Sequence, residues 1–137
     1  MKQLNVYLVF NGNCEEALGF YTVALAGQIE FLQRYSDAPM PVEDANKDRI
    51  MHARLAFSNI VMMFSDAQPG DPVKSGNQVS LSLDFESEAE QTAVFEKLAV
   101  DANVTMPLED TFWGARFGML IDKFGVNWLF NFDKPQA

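Results

Sequence analysis

The sequence predicts an α+β fold of two βαβββ modules with the helices packed on one side of the strands, and three observations predict it. Eight segments carry the apolar alternation or the β-branched and aromatic content of strands. Two segments with helical spacing each follow one strand and precede three others. The stretch 6–31 is weakly similar to the stretch 80–107, which indicates an internal duplication.

The first module begins with an alternating strand at 4–10, which Asn11-Gly12 interrupts. Asn13 and Glu16 have the spacing of a capping box, so a helix is expected from there to Gly27, which we interpret as its C-terminal cap. Strands are expected at 28–35, 50–57 and 60–66, and the last two are separated by hairpin spacing.

The second module repeats this order with a strand at 78–85 and a helix begun by Ser87 and Glu90. Pro107 limits the next strand, at 103–108, to a sheet edge or a strand end. The last two strands are expected at 115–122 and 126–132. We therefore predict one domain over residues 1–137, with pseudo-repeats at about 3–66 and 77–133.

Composition limits the classes of partner and the compartment. The formal net charge of −9 argues against nucleic acid and anionic membranes, because no basic stripe is present to neutralise phosphates. The single cysteine, Cys14, allows no intrachain disulfide, and the first residues have no signal-peptide h-region. No run approaches the ~18 apolar residues of a membrane helix. We expect a cytoplasmic protein.

Two features of the chain resemble a known family: the twofold βαβββ order, and the four stretches "YLVFNGNCEEALGFY", "MHARLAF", "MPLEDTFWGARFG" and "DKFGVNWLFN". The order resembles the plan of the vicinal oxygen chelate superfamily, which includes glyoxalase I, extradiol dioxygenases and bleomycin- and fosfomycin-resistance proteins. The four stretches resemble its PhnB-like branch, often labelled 3-demethylubiquinone methyltransferase-like. The resemblance covers essentially the whole chain and implies a curved mixed sheet around a small-molecule cavity, commonly in a homodimer. No strand leads into a glycine-rich turn and helix that would cradle a nucleoside cofactor, so methyl transfer is not expected.

Metal-dependent members of this superfamily hold a divalent ion with four side chains, mostly His and Glu, one per strand. Matching the strands places those positions at Asn5, Arg54, Ser80 and Leu129. None of the four is a typical ligand, and a guanidinium would repel a cation. We therefore expect no metal site and no other cofactor.

The strand faces provide a second criterion, because successive side chains point to opposite sides of a sheet. One set is uniformly apolar and is expected to pack against the helices; the other is mixed and faces either solvent or a ligand cavity. The apolar set is Leu4, Val6, Leu8 and Phe10, Met51, Ala53, Leu55 and Phe57, Val79, Leu81, Leu83 and Phe85, Phe117, Met119 and Ile121, and Val126, Trp128, Phe130 and Phe132. The mixed set is Asn5 and Tyr7, His52 and Arg54, Ser80, Ser82 and Asp84, Arg116, Gly118 and Leu120, and Asn127, Leu129 and Asn131.

His52 is the only histidine, so its side chain alone has an unperturbed pKa near neutrality. It is either a general base or ligand donor, or a partly buried structural residue, and both interpretations stay open. Arg54 and Arg116 would suit a carboxylate or phosphate ligand. The competing interpretation is ion pairing with Glu109, Asp110 or Asp84, which we favour for at least one of the two arginines.

Phe112 and Trp113 precede Gly114 between two strands, where they would cover a cavity mouth or pack in a dimer interface. Cys14 begins a helix, but without a neighbouring histidine a nucleophilic role is disfavoured. The predicted ligand contacts are Asn5, Tyr7, His52, Arg54, Ser80 and Arg116, with Phe112 and Trp113 at the rim.

Two functions for the mixed strand face remain open from the sequence, beside a purely structural dimer module, which would explain the apolar surface but not that face. The first is a metal-independent, homodimeric protein that binds a small molecule in a cup-shaped cavity. The second is a lyase, isomerase or dioxygenase-like enzyme that uses His52 as general base or in a degenerate metal site. The ligand itself is not encoded by a local motif, because cavity shape sets it.

Overall fold

Strands and helices follow one another in the order βαβββ, twice, in the computed structural model, which describes residues 1–136. The chain divides into two compact units, Met1–Lys74 and the remainder from Ser75. Unit 1 contains β1 (Val6–Phe10), α1 (Cys14–Ala24), β2 (Gln28–Arg34), β3 (Ile50–Phe57) and β4 (Ile60–Asp66). Unit 2 contains β5 (Leu81–Asp84), α2 (Glu88–Leu98), β6 (Asn103–Asp110), β7 (Ala115–Ile121) and β8 (Asn127–Asp133).

Each unit has its own four-stranded mixed sheet. In unit 1 the strand order is β1-β4-β3-β2, and β1 runs parallel to β4 while the other neighbours are antiparallel. Unit 2 repeats this arrangement as β5-β8-β7-β6. The α+β class and the two βαβββ modules are therefore confirmed. None of the described helices is long and apolar enough to cross a bilayer.

The core of unit 1 lies between α1 and one face of its sheet. On α1, the side chains of Ala17, Leu18 and Tyr21 are buried, as their helical spacing predicts. The sheet contributes Ala53, Leu55, Met62 and Phe64, which alternate with less buried neighbours along β3 and β4. Alternation therefore determines which side of the strands receives the helix.

The C-terminal end of α1 differs from the prediction in one residue. Ala26, with φ of 51°, takes the left-handed conformation, and the backbone N–H of Gly27 donates to the Thr22 carbonyl. A Cβ on Gly27 would lie 2.9 Å from the Ala56 carbonyl oxygen and 3.0 Å from Leu55 Cδ1. Glycine is thus required at 27 because the chain passes close to β3, and not because the helix cap needs it.

In unit 2, the helix face toward the sheet also differs from the prediction. Helical spacing predicts that Ala89, Ala93, Val94 and Leu98 line it; Leu98 is buried, but Ala89 and Ala93 are exposed. The buried residues of α2 are Gln91 and Leu98, and the Phe95 ring contacts that of Phe130 at 4.9 Å. A buried glutamine is hard to predict from hydropathy, because it is stable there only when its amide is hydrogen-bonded.

The predicted faces of β7 were wrong. Gly118 and Leu120 are buried and pair with Phe130 and Trp128, so they lie on the helix side of the sheet. The alternate residues, Phe117, Met119 and Ile121, are only partly buried and lie on the opposite face. Both alternating sets contain large apolar residues, so hydropathy alone did not distinguish them.

Two strands have ends or irregularities that the sequence only partly indicates. β5 begins at Leu81 and not at Gln78, because the Asn127 side-chain amide donates to the Gly76 and Val79 carbonyls and occupies them. β6 lies at the sheet edge, as Pro107 predicts, and its register with β7 shifts on either side of Met106.

Candidate functional site

A row of four side chains crosses the sheet of unit 1 on the side opposite α1. The strand register places Tyr7 opposite Met63, Met63 opposite Arg54, and Arg54 opposite Phe31. His52 lies two residues before Arg54 on the same face of β3. We call these five residues the open face of unit 1. All five are partly or largely exposed to solvent.

His52 is held by its aromatic neighbours on this face. The Tyr7 hydroxyl lies 3.1 Å from His52 Nδ1. Ring centroids are 5.6 Å apart for Tyr7 and His52 and 5.9 Å apart for Phe31 and His52. When the hydroxyl donates to Nδ1 of the neutral ring, Nε2 carries the proton and is a donor. In that arrangement Nε2 can donate a hydrogen bond to a bound molecule.

Arg54 is positioned by an aromatic ring. Its guanidinium carbon lies 5.0 Å from the centroid of Phe31, which is cation–π distance. Within residues 1–136 it forms no ion pair, although Arg34 pairs with Glu15 at 2.6 Å. The open face of unit 1 therefore presents one positive charge among three aromatic rings.

Arg116, expected on the cavity side, lies on the helix side of unit 2. Its Nη1 donates to Thr92 Oγ1 at 2.8 Å and to Gln91 Oε1 at 3.1 Å, and its Nε lies 3.4 Å from a Glu88 carboxylate oxygen. Gln91 in turn donates to the Arg116 carbonyl at 2.9 Å. The predicted position of Arg116 was thus wrong. Arg116 does form an ion pair, but with Glu88 and not with the predicted Glu109, Asp110 or Asp84.

Phe112 and Trp113 form an exposed aromatic pair on the turn between β6 and β7. Their side chains are 97% and 55% exposed, and the rings meet edge to face with centroids 5.1 Å apart. The Trp113 ring also contacts Phe117, at 6.0 Å. Gly114, with φ of 88°, closes the turn in a conformation that glycine favours. This cluster leaves a large apolar surface in contact with solvent.

The two remaining predicted contacts lie just outside the strands. Asn5 precedes β1, is exposed, and accepts a hydrogen bond from Gln3 Nε2 at 2.8 Å. Ser80 precedes β5 and is exposed. Of the predicted side chains, the structure brings Tyr7, His52 and Arg54 together in unit 1.

Two residues of the open face of unit 1 were not predicted. Hydropathy predicts that Met62 and Met63 are both core residues, but the alternation of β4 places Met62 in the core and Met63 on the other side. Phe31 lies after a register shift between Ile29 and Phe31 in β2. The alternation in "IVMMFSD" would have identified Met63. The bulge before Phe31 has no clear sequence signal.

Three clefts of unit 1 lie among its loops. They have volumes of about 250, 370 and 510 Å³, and the cleft of 510 Å³ is lined by residues that include Glu15, Arg49 and Asp66. Glu15 is paired with Arg34, and Arg49 donates to the Ala67 carbonyl at 3.0 Å. These two side chains are therefore already engaged within the protein.

Asp66 and Cys14, at the start of α1, stabilise the fold and do not form a reactive site. Asp66 Oδ1 accepts hydrogen bonds from the N–H groups of Gly12 and Cys14, at 2.8 and 3.0 Å. Asn13, expected to cap the helix, makes no side-chain cap bond. The Cys14 thiol is fully buried, and burial, followed by the nearby charges of Asp66 and Glu15, raises its pKa far above the ordinary value. A thiol held protonated is a poor nucleophile.

The four positions that the sequence comparison matched to the metal ligands of the resembled superfamily carry side chains that do not suit a metal ion. Arg54 is a cation, Leu129 has no donor atom, and Asn5 is bonded to a neighbouring glutamine. Among the described residues, no three His, Cys, Asp or Glu side chains are grouped closely enough to hold one. We therefore derive no chemistry through a metal at this site.

The fold of this chain is also found in a distant solved structure. A fosfomycin resistance protein, FosX, from Listeria monocytogenes is similar with a TM-score of 0.66 over 100% of this chain and 95% of that chain. At 10% sequence identity, this similarity shows the fold alone.

Closer relatives identify the family. The model of the 3-demethylubiquinone-9 3-methyltransferase family matches residues 2–130, and the chain belongs to this family. It is 30% identical to the protein YjdN of Escherichia coli K12, over 97% of both chains. A structure of the protein PA1353 from Pseudomonas aeruginosa has 42% identity and a TM-score of 0.88, covering 98% of this chain and 100% of that one. A putative 3-demethylubiquinone-9 3-methyltransferase, the PhnB protein of Bacillus cereus, has 30% identity and a TM-score of 0.77, covering 96% of this chain and 99% of that one.

Proposed function

We propose that this protein binds a small molecule against the open face of unit 1. The observation that carries the proposal is the hydrogen bond between the Tyr7 hydroxyl and His52 Nδ1, within a group of three aromatic rings. This contact orients the partly exposed imidazole of His52 on the open face. Aromatic surface with a few oriented polar groups is the usual composition of a ligand site.

The ligand contacts proposed for this face are Tyr7, Phe31, His52 and Arg54. That Asn5, Ser80, Phe112 and Trp113 also contact a ligand stays a prediction from the sequence. Arg116 is left out of the proposal because its guanidinium is bonded to α2. These side chains supply hydrogen bonds, stacking surface and charge, so the proposed binding needs no metal ion.

A thermal-shift screen tests the proposal. Compounds with a planar ring and a hydrogen-bond acceptor should raise the melting temperature of the wild-type protein, because they bind only the folded state. Phe31→Ala and His52→Ala should each abolish most of that shift. Val23→Ala is the matched control, since Val23 is an exposed apolar residue on α1, away from this face. If shifts in the wild type persist in Phe31→Ala and His52→Ala, the ligand site lies elsewhere.

The second candidate is an enzyme in which His52 acts as the general base of a lyase, isomerase or dioxygenase-like reaction. The same hydrogen bond favours it, because Tyr7 would orient the imidazole toward a substrate. His52→Gln would then reduce turnover of any identified substrate by about 10²-fold or more while leaving its affinity within a few-fold. Equal losses in affinity and turnover would instead support a binding role.

Metal analysis separates the metal-free proposal from a degenerate metal site. The wild-type protein, purified without chelators, is expected to contain far less than one divalent ion per chain. A stoichiometric ion that is lost in His52→Ala would refute the metal-free form of the proposal.

We further propose that the protein is a cytoplasmic homodimer. The exposed Phe112–Trp113 pair supports the homodimer, because a partner subunit would cover its apolar surface.

A further inference from the structure

We infer that the ligand of the open face carries an oxyanion, a carboxylate or a phosphate, attached to a planar ring. This inference rests on the proposed function and specifies the class of molecule bound at the same site. Two observations support it: no oxygen of the described chain engages the Arg54 guanidinium, and Arg54 lies in a row of aromatic and apolar side chains.

Arg54 is the arginine of the described chain whose guanidinium no protein oxygen engages. Arg34 and Arg116 form ion pairs with Glu15 and Glu88, and Arg49 donates to the Ala67 carbonyl. Arg54 instead contacts the ring of Phe31, at 5.0 Å. In a chain with 19 acidic residues and a net charge of −9, carboxylates are abundant, yet none within residues 1–136 neutralises this cation.

The N–H groups of the Arg54 guanidinium are available because its neighbour Phe31 is a ring without an acceptor oxygen. The five N–H groups of an arginine lie in one plane and form a fixed fork. Such an edge matches a carboxylate or a phosphate with two parallel hydrogen bonds. His52 adds a donor when Tyr7 donates to its Nδ1, because Nε2 then carries the proton. The face thus offers donors to an anionic group.

The neighbouring side chains specify the rest of the molecule. Tyr7, Met63, Arg54 and Phe31 form one row across four strands, and the ring of His52 lies beside it. Aromatic rings and a thioether offer flat apolar surface without further charge. A ligand ring about the size of a phenyl group can therefore lie against this row while its anionic substituent reaches Arg54.

The test measures the affinity of simple probes by NMR titration of the 15N-labelled full-length protein at fixed ionic strength. The probes are benzoate, phenyl phosphate, neutral benzamide and ring-free acetate. Benzoate or phenyl phosphate should bind about tenfold or more tightly than benzamide and acetate, with the amides of Tyr7, His52 and Arg54 shifting most. The tighter of the two anions identifies the source as a carboxylate or a phosphate, and either result supports the inference.

Three variants show whether Arg54 is responsible. Arg54→Gln should abolish the preference for the anion over benzamide. Arg54→Lys keeps the charge without the planar fork and should retain a reduced preference, which also covers the case in which Arg54→Gln fails to fold. Lys97→Gln removes one positive charge from the exposed end of α2 and should leave the preference unchanged.

The possible failures can be distinguished. If benzamide binds as tightly as benzoate and its binding still depends on Phe31, the inference about the oxyanion is wrong while the proposed site stands. If Arg54→Gln and Arg54→Lys both keep the full preference, the inference is also wrong. If none of the ring compounds shifts the amides of this face, both the inference and the proposed function fail.

Discussion

Asp66 lies at the end of β4, where its carboxylate accepts three backbone N–H groups that would otherwise be unsatisfied. Oδ1 accepts from Gly12 and Cys14, and Oδ2 accepts from Ile50 at 2.8 Å. The side chain is almost fully buried. Asp66 thus joins the start of α1 to the start of β3 and the end of β4. Asn13 and Glu16 were expected to satisfy the start of α1 locally.

Replacing Asp66 with Asn should destabilise the protein by about 1–3 kcal/mol. The amide has the same shape, but its NH₂ group must face at least one of the three backbone donors, which then loses its acceptor. Urea denaturation measures the change in the free energy of unfolding. Asp71→Asn is the control, because Asp71 is exposed and should change stability by less than about 0.5 kcal/mol. Equal stabilities for the two variants would contradict this role of Asp66.

Cys14 makes the stability of the protein depend on alkaline pH. Its pKa is raised in the folded state, so above the ordinary thiol pKa of roughly 8.5 the unfolded chain loses this proton first. Fewer protons bound in the unfolded state mean that the free energy of unfolding falls as pH rises. Between about pH 8 and pH 9.5, the wild type should lose about 1 kcal/mol more than Cys14→Ala, measured by urea denaturation. Parallel pH profiles for the two proteins would show that the thiol is not responsible.

The side chain of Arg116 links the second helix, α2, to strand β7. Arg116 on β7 bonds to Gln91 and Thr92 and pairs with Glu88, all within the first two turns of α2. From the sequence, this arginine looked like a cavity residue because it alternates with Phe117. The contact of Arg116 with α2 could not be predicted locally. Strand alternation separates two sets of side chains, but it assigns each set to a side of the sheet only when the strand register is known.

The helix α1 and the turn after it provide a matched pair of glycine substitutions. Gly27→Ala should destabilise by about 1–3 kcal/mol, because its Cβ would lie 2.9 Å from the Ala56 carbonyl oxygen. Gly19→Ala should instead stabilise by about 0.5–1 kcal/mol, since a Cβ there would meet no neighbouring atom within 4 Å and glycine weakens a helix interior. Thermal or urea unfolding measures both changes. Opposite signs are required, and a stabilising Gly27→Ala would show that the α1–β3 approach is not tight.

At the scale of the whole molecule, the exposed aromatic pair on the β6–β7 turn predicts self-association. The double variant Phe112→Ser, Trp113→Ser should sediment as a monomer at concentrations where the wild type is a dimer, because it removes apolar area that a partner would cover. Val100→Ser is the control for loss of an exposed apolar side chain away from this turn. A dimer that survives the double variant would show that Phe112 and Trp113 do not hold the two subunits together.

The order of the elements was predictable because it depends on local signals. Strands β3 and β4 have the boundaries that their alternation predicts, and Ser87 caps α2 by accepting from the Glu90 N–H at 3.1 Å. The faces of β1 and β3 were also predicted, so Tyr7, His52 and Arg54 were recognised as neighbours on one side. In these segments one alternating set is uniformly apolar, and only one choice of face buries it.

The remaining features required the tertiary structure, because they depend on which strand lies beside which. The β2 bulge brings Phe31 next to Arg54 across two strands that are about twenty residues apart in the chain, and no local pattern encodes that register. The face of β7 depended on Gln91, a polar residue whose burial is stable only with Arg116 beside it. By itself the sequence determined the fold class and the polar residues of one strand face. Long-range pairing decided which rings surround them and which arginine remains available to a ligand.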